Sequence, residues 1–345
     1  MLSDNREPAD PATTLAARPD LDLDATHAFR AGHESTLDRT VILSASRSAG
    51  DSMAHLGNDP VERKFSRVAT LIVAGQKVAA LSACCELESW LAREPALADQ
   101  KIRAEELTTG VKRDLLVADG LELIGTATRI RPVAGQHVLI GRPSSSRSVE
   151  IAISCRWFSR GERSLCVFSK ADNWFIEDLG SANGTYIGDK KLEKSEAHPL
   201  PAGESLLEVG RSLQAVAPVI VRLDRADPAV VVQVQPGGAF KDPDLKTWPT
   251  LHDDLTKRWL VFPQSCRLSA DENRIVARQD EDAVALLSFD NGYWIAPLGG
   301  RELRIDGMTF CTKVPLPAAV ELEVGGLKFR TERFPSVTES RSNHG

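Results

Sequence analysis

The chain has 345 residues and a formal charge of −6. That length exceeds one small domain and suffices for two folded units plus tails. The acidity is concentrated at one end: residues 1–60 hold ten Asp/Glu against five Arg/Lys. The remainder is nearly neutral, which argues against a broadly basic nucleic-acid-binding protein.

Residues 1–58 are rich in Asp, Ala, Ser, Thr and Arg and show no sustained period. They carry too little apolar surface to offset the entropy of ordering, so a disordered acidic tail is expected, with no signal peptide. One island, 35–43, places Thr40 ahead of Val41, Ile42 and Leu43. Its plain reading is an apolar patch or a short edge strand.

Asn58-Asp59-Pro60 predicts a helix start, with Asp59 as N-cap and Pro60 in the first turn. Val61, Phe65, Val68 and Ile72 then recur on one helical face, and Gly75 kinks or ends the helix. A second helical run carries Val78, Leu81, Cys85 and Trp90 and stops near Pro95; a third covers 98–107. Residues 61–117 hold nine Lys/Arg against eight Asp/Glu, so this region, taken as 59–118, reads as a packing or dimerisation element rather than a DNA-binding one. Its most apolar run, 69–85, is interrupted by Gln76-Lys77 and is shorter than the ~20 residues a membrane span needs.

From Leu121 the pattern changes to short strands, at 121–124, 128–131, 137–140, 150–153, 165–168, 174–177, 185–187 and 205–209. Turn residues punctuate them at the spacing of a β-sandwich, with no long amphipathic helix for parallel βαβ units. After Val221 the pattern repeats. Trp174-Phe175-Ile176-Glu177-Asp178-Leu179-Gly180 aligns with Tyr293-Trp294-Ile295-Ala296-Pro297-Leu298-Gly299, and the segment 200–210 with 316–325. His137-Val138-Leu139-Ile140-Gly141-Arg142 is set against Trp259-Leu260-Val261-Phe262-Pro263-Gln264. A period of about 115–120 residues suggests a duplicated domain rather than a solenoid. The fold class expected is therefore tandem all-β sandwiches, at 119–218 and 219–335, behind the helical region, with a polar tail at 336–345.

The stretch Trp174-Phe175-Ile176-Glu177-Asp178-Leu179-Gly180-Ser181-Ala182-Asn183-Gly184-Thr185 combines a strand, a tight turn and the start of another strand, with Trp174, Ile176 and Leu179 able to face a core. Preceded by Val138-Leu139-Ile140-Gly141-Arg142 and by Ser159-Arg160-Gly161-Glu162, it resembles the signature of the forkhead-associated (FHA) domain, a β-sandwich that binds phosphothreonine peptides. The resemblance covers about residues 121–215. It implies that Arg142 and Ser159 contact the phosphate and that Asn183 holds the peptide backbone. Gly141 would let the loop turn, Gly184 would take a positive φ, Ser181 belongs to the matched turn, and Arg160 would add a second cation. The local charge agrees: residues 142–163 hold five Arg against two Glu, as a dianionic ligand requires.

Two residues depart from the family pattern. Glu162 stands where a histidine braces the loop, and Ala182 where many members carry a hydroxyl or a cation, so one phosphate contact is expected to be missing. The second block lacks the site: Gln264 is set at Arg142, Pro263 at Gly141, and Gly300-Arg301-Glu302-Leu303 at Ser181-Ala182-Asn183-Gly184. It reads as a degenerate FHA-like sandwich.

No phosphate loop, nucleophile elbow, zinc motif or kinase signature is present, and the seven histidines are scattered. Cys84, Cys85, Cys155, Cys166, Cys266 and Cys311 have no metal-ligand spacing and fit buried thiols in a reducing cytoplasm. The sequence thus implies a cytoplasmic, non-enzymatic adaptor without cofactor, metal, nucleic-acid partner or membrane span. Its partner would be a phosphothreonine protein such as a Ser/Thr kinase or its substrate. The resemblance also implies a self-interaction, with phosphorylated Thr40 docking in its own chain's site. The alternative is a scaffold that uses FHA-like folds without phosphopeptides.

Overall fold

The computed structural model describes residues 59–333, apart from 118–119, 127, 145–148, 154, 156–157, 160–162, 212–218, 237–257, 272–273, 278–283 and 290–291. The expected tails, with Thr40 and its island, lie outside the described residues.

Three helices lead. Helix α1 (Pro60–Val73) starts as its sequence dictates: Asp59 Oδ1 accepts the Val61 amide at 2.8 Å, and Pro60 occupies the first turn, where no amide is needed. Gly75, at φ +71°, turns the chain into α2 (Lys77–Leu91). Helix α3 (Ala98–Leu115) runs on past the end expected near Leu107. Thr108 and Gly110 look like helix breakers, but Thr108 Oγ1 donates back to the Ala104 carbonyl at 2.8 Å, and Val111 and Leu115 are buried. Tertiary burial outweighs the propensity of those two residues.

The β-structure consists of two series of strands. The first comprises β1 (Leu121–Ile124), β2 (Arg129–Ala134), β3 (His137–Gly141), β4 (Ile151–Ala152), β5 (Leu165–Lys170), β6 (Asn173–Asp178), β7 (Thr185–Ile187), β8 (Lys190–Lys191), β9 (Ala197–Pro199), β10 (Gly203–Val209) and β11 (Val219–Ala226). The second comprises β12 (Ala229–Pro236), β13 (Arg258–Phe262), β14 (Ser265–Asp271), β15 (Arg274–Ala277), β16 (Val284–Phe289), β17 (Gly292–Pro297), β18 (Leu303–Ile305), β19 (Met308–Phe310), β20 (Val314–Pro315), β21 (Glu321–Val324) and β22 (Leu327–Arg333). Strand by strand the two series correspond in order, except that β4 runs parallel to β3 whereas β15 runs antiparallel to β14. The five-stranded sheet β4-β3-β5-β6-β9 has its counterpart in β15-β14-β16-β17-β20, and β8-β7-β10-β11 in β19-β18-β21-β22.

The leading hairpins, however, are exchanged. A single twelve-stranded sheet runs β19-β18-β21-β22-β1-β2-β13-β12-β11-β10-β7-β8. Hairpin β12–β13 extends the sheet of the first sandwich through β11, and hairpin β1–β2 extends that of the second through β22, Leu121 pairing with Arg333. Where the hairpins meet, β13 and β2 lie parallel, Leu260 opposite Pro132. The pairing therefore does not follow limits of 119–218 and 219–335. The first sandwich is built from β3 to β13, continuous in sequence, and the second from β14 to β22 closed by β1 and β2.

The two cores reflect this exchange. Trp259 and Val261 pack with Val138, Ile140, Trp174 and Ile176, whereas Leu260 and Phe262 pack with Cys266, Leu286, Ile295 and Phe329. Alternate side chains of β13 thus fill opposite cores, as the period of two demands. Each large apolar side chain so buried contributes about 1.5–3 kcal/mol. The helices extend the second core, to which Val68, Leu81, Cys84, Val111 and Leu115 belong. Leu116 approaches β17 so closely that a Cβ on Gly292 would lie 2.7 Å from its Cδ2.

Register also corrects the internal alignment. Ile140 faces Leu165 and Leu165 faces Asp178, as Leu268 faces Val284 and Val284 faces Pro297. Ser269 and Ala270, not Pro263 and Gln264, therefore stand at Gly141 and Arg142. Thr185 faces Val209 as Leu303 faces Val324, so Arg301 and Glu302 stand at Asn183 and Gly184.

Candidate functional site

Strand β3 delivers Gly141 and Arg142 to one end of the first sandwich. The Gly141 carbonyl accepts the Ile153 amide at 2.8 Å, and the Arg142 amide donates to the Ser159 carbonyl at 3.0 Å. A Cβ on Gly141 would lie 2.8 Å from Ser164 Cβ and 3.1 Å from the Ser159 oxygen, so only glycine fits. Beyond it Arg142 is half-buried, and its Nε is a buried donor with no partner among the described residues. A buried N–H without an acceptor is costly, and a bound anion would supply one.

Ser159 is 8% exposed, and its Oγ accepts the Ala182 amide at 2.9 Å. One serine therefore fastens the loop after β6 to the strand end that carries Arg142. A hydroxyl that accepts one hydrogen bond keeps its own proton for a further partner.

The loop itself is organised by Asp178. In β6 the period of two places Trp174, Ile176 and Asp178 on the core side, and Asp178 is 3% exposed. Its Oδ1 accepts the amides of Gly180 at 2.8 Å and Ser181 at 2.6 Å, and its Oδ2 accepts the Ser181 hydroxyl. This is an Asx-type turn, in which the carboxylate satisfies donors that a strand end leaves open. Leu179 points instead to the outer face, against Leu139, Cys166 and Phe168. Asn183 is exposed at the loop tip. Gly184 follows at φ +72°, with its carbonyl accepting the Gly210 amide at 3.0 Å.

Of the residues singled out from sequence, Gly141, Arg142, Ser159, Ser181, Asn183 and Gly184 come together on these loops, with Ser181 turned inward onto Asp178. Arg160 and Glu162 lie outside the described residues. Asp178 was not singled out, although counting in twos along β6 reaches it. Ser164 was also missed: it closes on Gly141, and neither its position nor its type announces that contact. Arg211, a further cation nearby, is committed to Asp189, to Glu208 and to the Gly188 carbonyl at 2.9 Å.

Arg142, Ser159 and the Asn183-Gly184 turn thus place a cation, a hydroxyl and a tight turn on adjoining loops of the first sandwich. Residues 138–207 match the family model of the FHA domain, and the chain carries an FHA domain there. Solved structures that part of this chain matches include the FHA domain of an Arabidopsis thaliana hypothetical protein, 26% identical, covering 28% of this chain and 81% of that one at a TM-score of 0.20. The MEK1 FHA domain in complex with a HOP1 phosphothreonine peptide is 22% identical, covering 26% and 89% at 0.19. Mycobacterium tuberculosis EmbR in complex with a low-affinity phosphopeptide is 16% identical, covering 49% and 48% at 0.19, so this chain spans about half of EmbR's length. No curated protein matches the sequence. Among the described residues no helix is long and apolar enough to cross a membrane, and no three His, Cys, Asp or Glu side chains are grouped to hold a metal.

Proposed function

We propose that the chain is a non-enzymatic adaptor that binds phosphothreonine peptides through Arg142, Ser159 and Asn183. The observation that carries this reading is Arg142 itself: a half-buried guanidinium whose Nε lacks a partner among the described residues, held beside Ser159 by a backbone hydrogen bond. Arg142 would take the phosphate oxygens, Ser159 would add its hydroxyl proton, and Asn183 would hold the peptide main chain at the rim. Ser181 and Asp178 act behind them as bracing. Because phosphothreonine is made by Ser/Thr kinases, the partner class is such a kinase or one of its substrates. The second sandwich, with Ala270 where Arg142 stands, serves packing and carries the helices.

The test uses the full chain. Titration calorimetry against a phosphothreonine peptide library should show binding that the unphosphorylated peptides lack. Arg142→Ala should weaken it by about 1.5–3 kcal/mol, the scale of a hydrogen bond to a charged group. Binding indifferent to phosphorylation would favour the scaffold reading.

A further inference from the structure

Two lysines flank the site loop without belonging to it. Lys191 in β8 lies against Gly184: a Cβ added there would be 3.2 Å from Lys191 Cε and 3.3 Å from Tyr186 Cε2. Lys194 lies along Gly180, its Cε 3.0 Å and Cδ 3.1 Å from the same kind of probe position. Glycine at both loop positions is what lets the two lysine stems close on the turn. Both lysines are exposed, and among the described residues neither ammonium makes an ion pair or a hydrogen bond. The acids around them are otherwise placed. Asp178 is consumed by the Gly180 and Ser181 donors, Asp189 and Glu208 face Arg211, and Glu196 lies 3.9 Å from His198. Glu193 is exposed between the two lysines in sequence. The loop between them contributes no cation, since Ala182 stands before Asn183.

We infer that Lys191 and Lys194 set peptide selectivity: they favour phosphothreonine ligands with acidic residues flanking the phosphothreonine. The inference rests on the binding site proposed above and concerns the class of peptide it takes. Because Lys191 lies against Gly184, next in the chain to Asn183, a peptide main chain held at Asn183 would lie near the Lys191 ammonium. A carboxylate there gains an unshared counter-charge, whereas a lysine or arginine there meets repulsion. Such partly exposed pairs act on partner choice more than on total affinity, and they are screened by salt.

The experiment compares matched phosphothreonine peptides with Asp/Glu, Ala or Lys at the flanking positions, titrated against the full chain. The native protein should bind the acidic series roughly tenfold more tightly than the alanine series, and the margin should shrink between 50 and 500 mM salt. Lys191→Ala with Lys194→Ala should abolish the margin while changing affinity for the alanine series less than twofold, and Lys191→Glu should invert it. Phosphate-dependent binding with no acidic preference, or a preference untouched by either lysine, overturns the inference alone. Absence of any phosphate-dependent binding overturns the proposed function with it.

Discussion

Gly141 and Ser164 face one another too closely for any other side chain at residue 141: a methyl group there would meet Ser164 Cβ at 2.8 Å. Gly141→Ala should therefore destabilise the protein by about 1–3 kcal/mol, as overpacking does, and shift Arg142 with it. Ser164→Gly in the same chain should recover part of the loss. Urea unfolding of the single and double variants measures the coupling, and strictly additive effects would rule out the contact.

Removing the carboxylate of Asp178 leaves two amides and a hydroxyl without their acceptor in a nearly buried place. Asp178→Ala should cost about 1–3 kcal/mol and weaken phosphopeptide binding although Asp178 touches no ligand. Hydrogen exchange should localise the effect to residues 179–184. Unchanged protection of those amides would show that the turn does not depend on the carboxylate.

Gly184 combines φ +72° with contacts from Lys191 and Tyr186. A Cβ in the left-handed region costs about 1–2 kcal/mol before any crowding. Gly184→Ala should therefore lower stability by at least that amount, measured by thermal unfolding, and Gly188→Ala, where nothing lies within 4 Å, should cost less.

The exchanged hairpins give a prediction of different scale. Trp259 is 4% exposed and sits in the core beneath the site, although it lies far outside the matched segment. Trp259→Ala should cost about 3–5 kcal/mol and abolish phosphopeptide binding. A fragment of residues 119–218 lacks β11, β12 and β13 and should give a poorly dispersed amide spectrum. A dispersed, folded spectrum from that fragment would overturn the exchanged arrangement as the determinant of this core.

Thiol chemistry should separate the cysteines. None of the six is in a disulfide; Cys311 is exposed, while Cys84, Cys155, Cys166 and Cys266 are buried. Burial pushes the Cys84 thiol up to about 12 and raises Cys266 further. The folded chain thus favours the neutral thiols, a contribution complete below pH ~9 and lost as pH rises toward 12 for Cys84. Alkylation at pH 8 should label Cys311 first; early labelling of Cys84 would contradict its placement.

What the sequence made legible follows from the range of the interactions involved. Asp59 and Pro60 announced α1 because a cap is decided within three residues. The turn from Asp178 to Gly184 was readable as a motif because its hydrogen bonds are local. Partner choice between hairpins was not. The apolar residues of β1 and β12 suit either sandwich, and no local signal distinguishes them. The misalignment of β13 with β3 has a related cause. Both are buried on both faces, so Trp259-Leu260-Val261-Phe262 and Val138-Leu139-Ile140 read as unbroken apolar runs without a phase. The counterparts of Arg142 changed identity on correction, yet neither Gln264 nor Ala270 supplies a cation.

The pairing of Leu121 with Arg333 also sets an order in time. The sandwich that carries the site is continuous in sequence and can close once Phe262 has left the ribosome. The other must wait for β22, the last strand of the chain described, while its first hairpin is held unpaired along that edge. Closing a loop of that length is slow relative to local hairpin formation. The sandwich that carries the candidate site can therefore close before its neighbour, whose sheet is completed only when β22 meets β1.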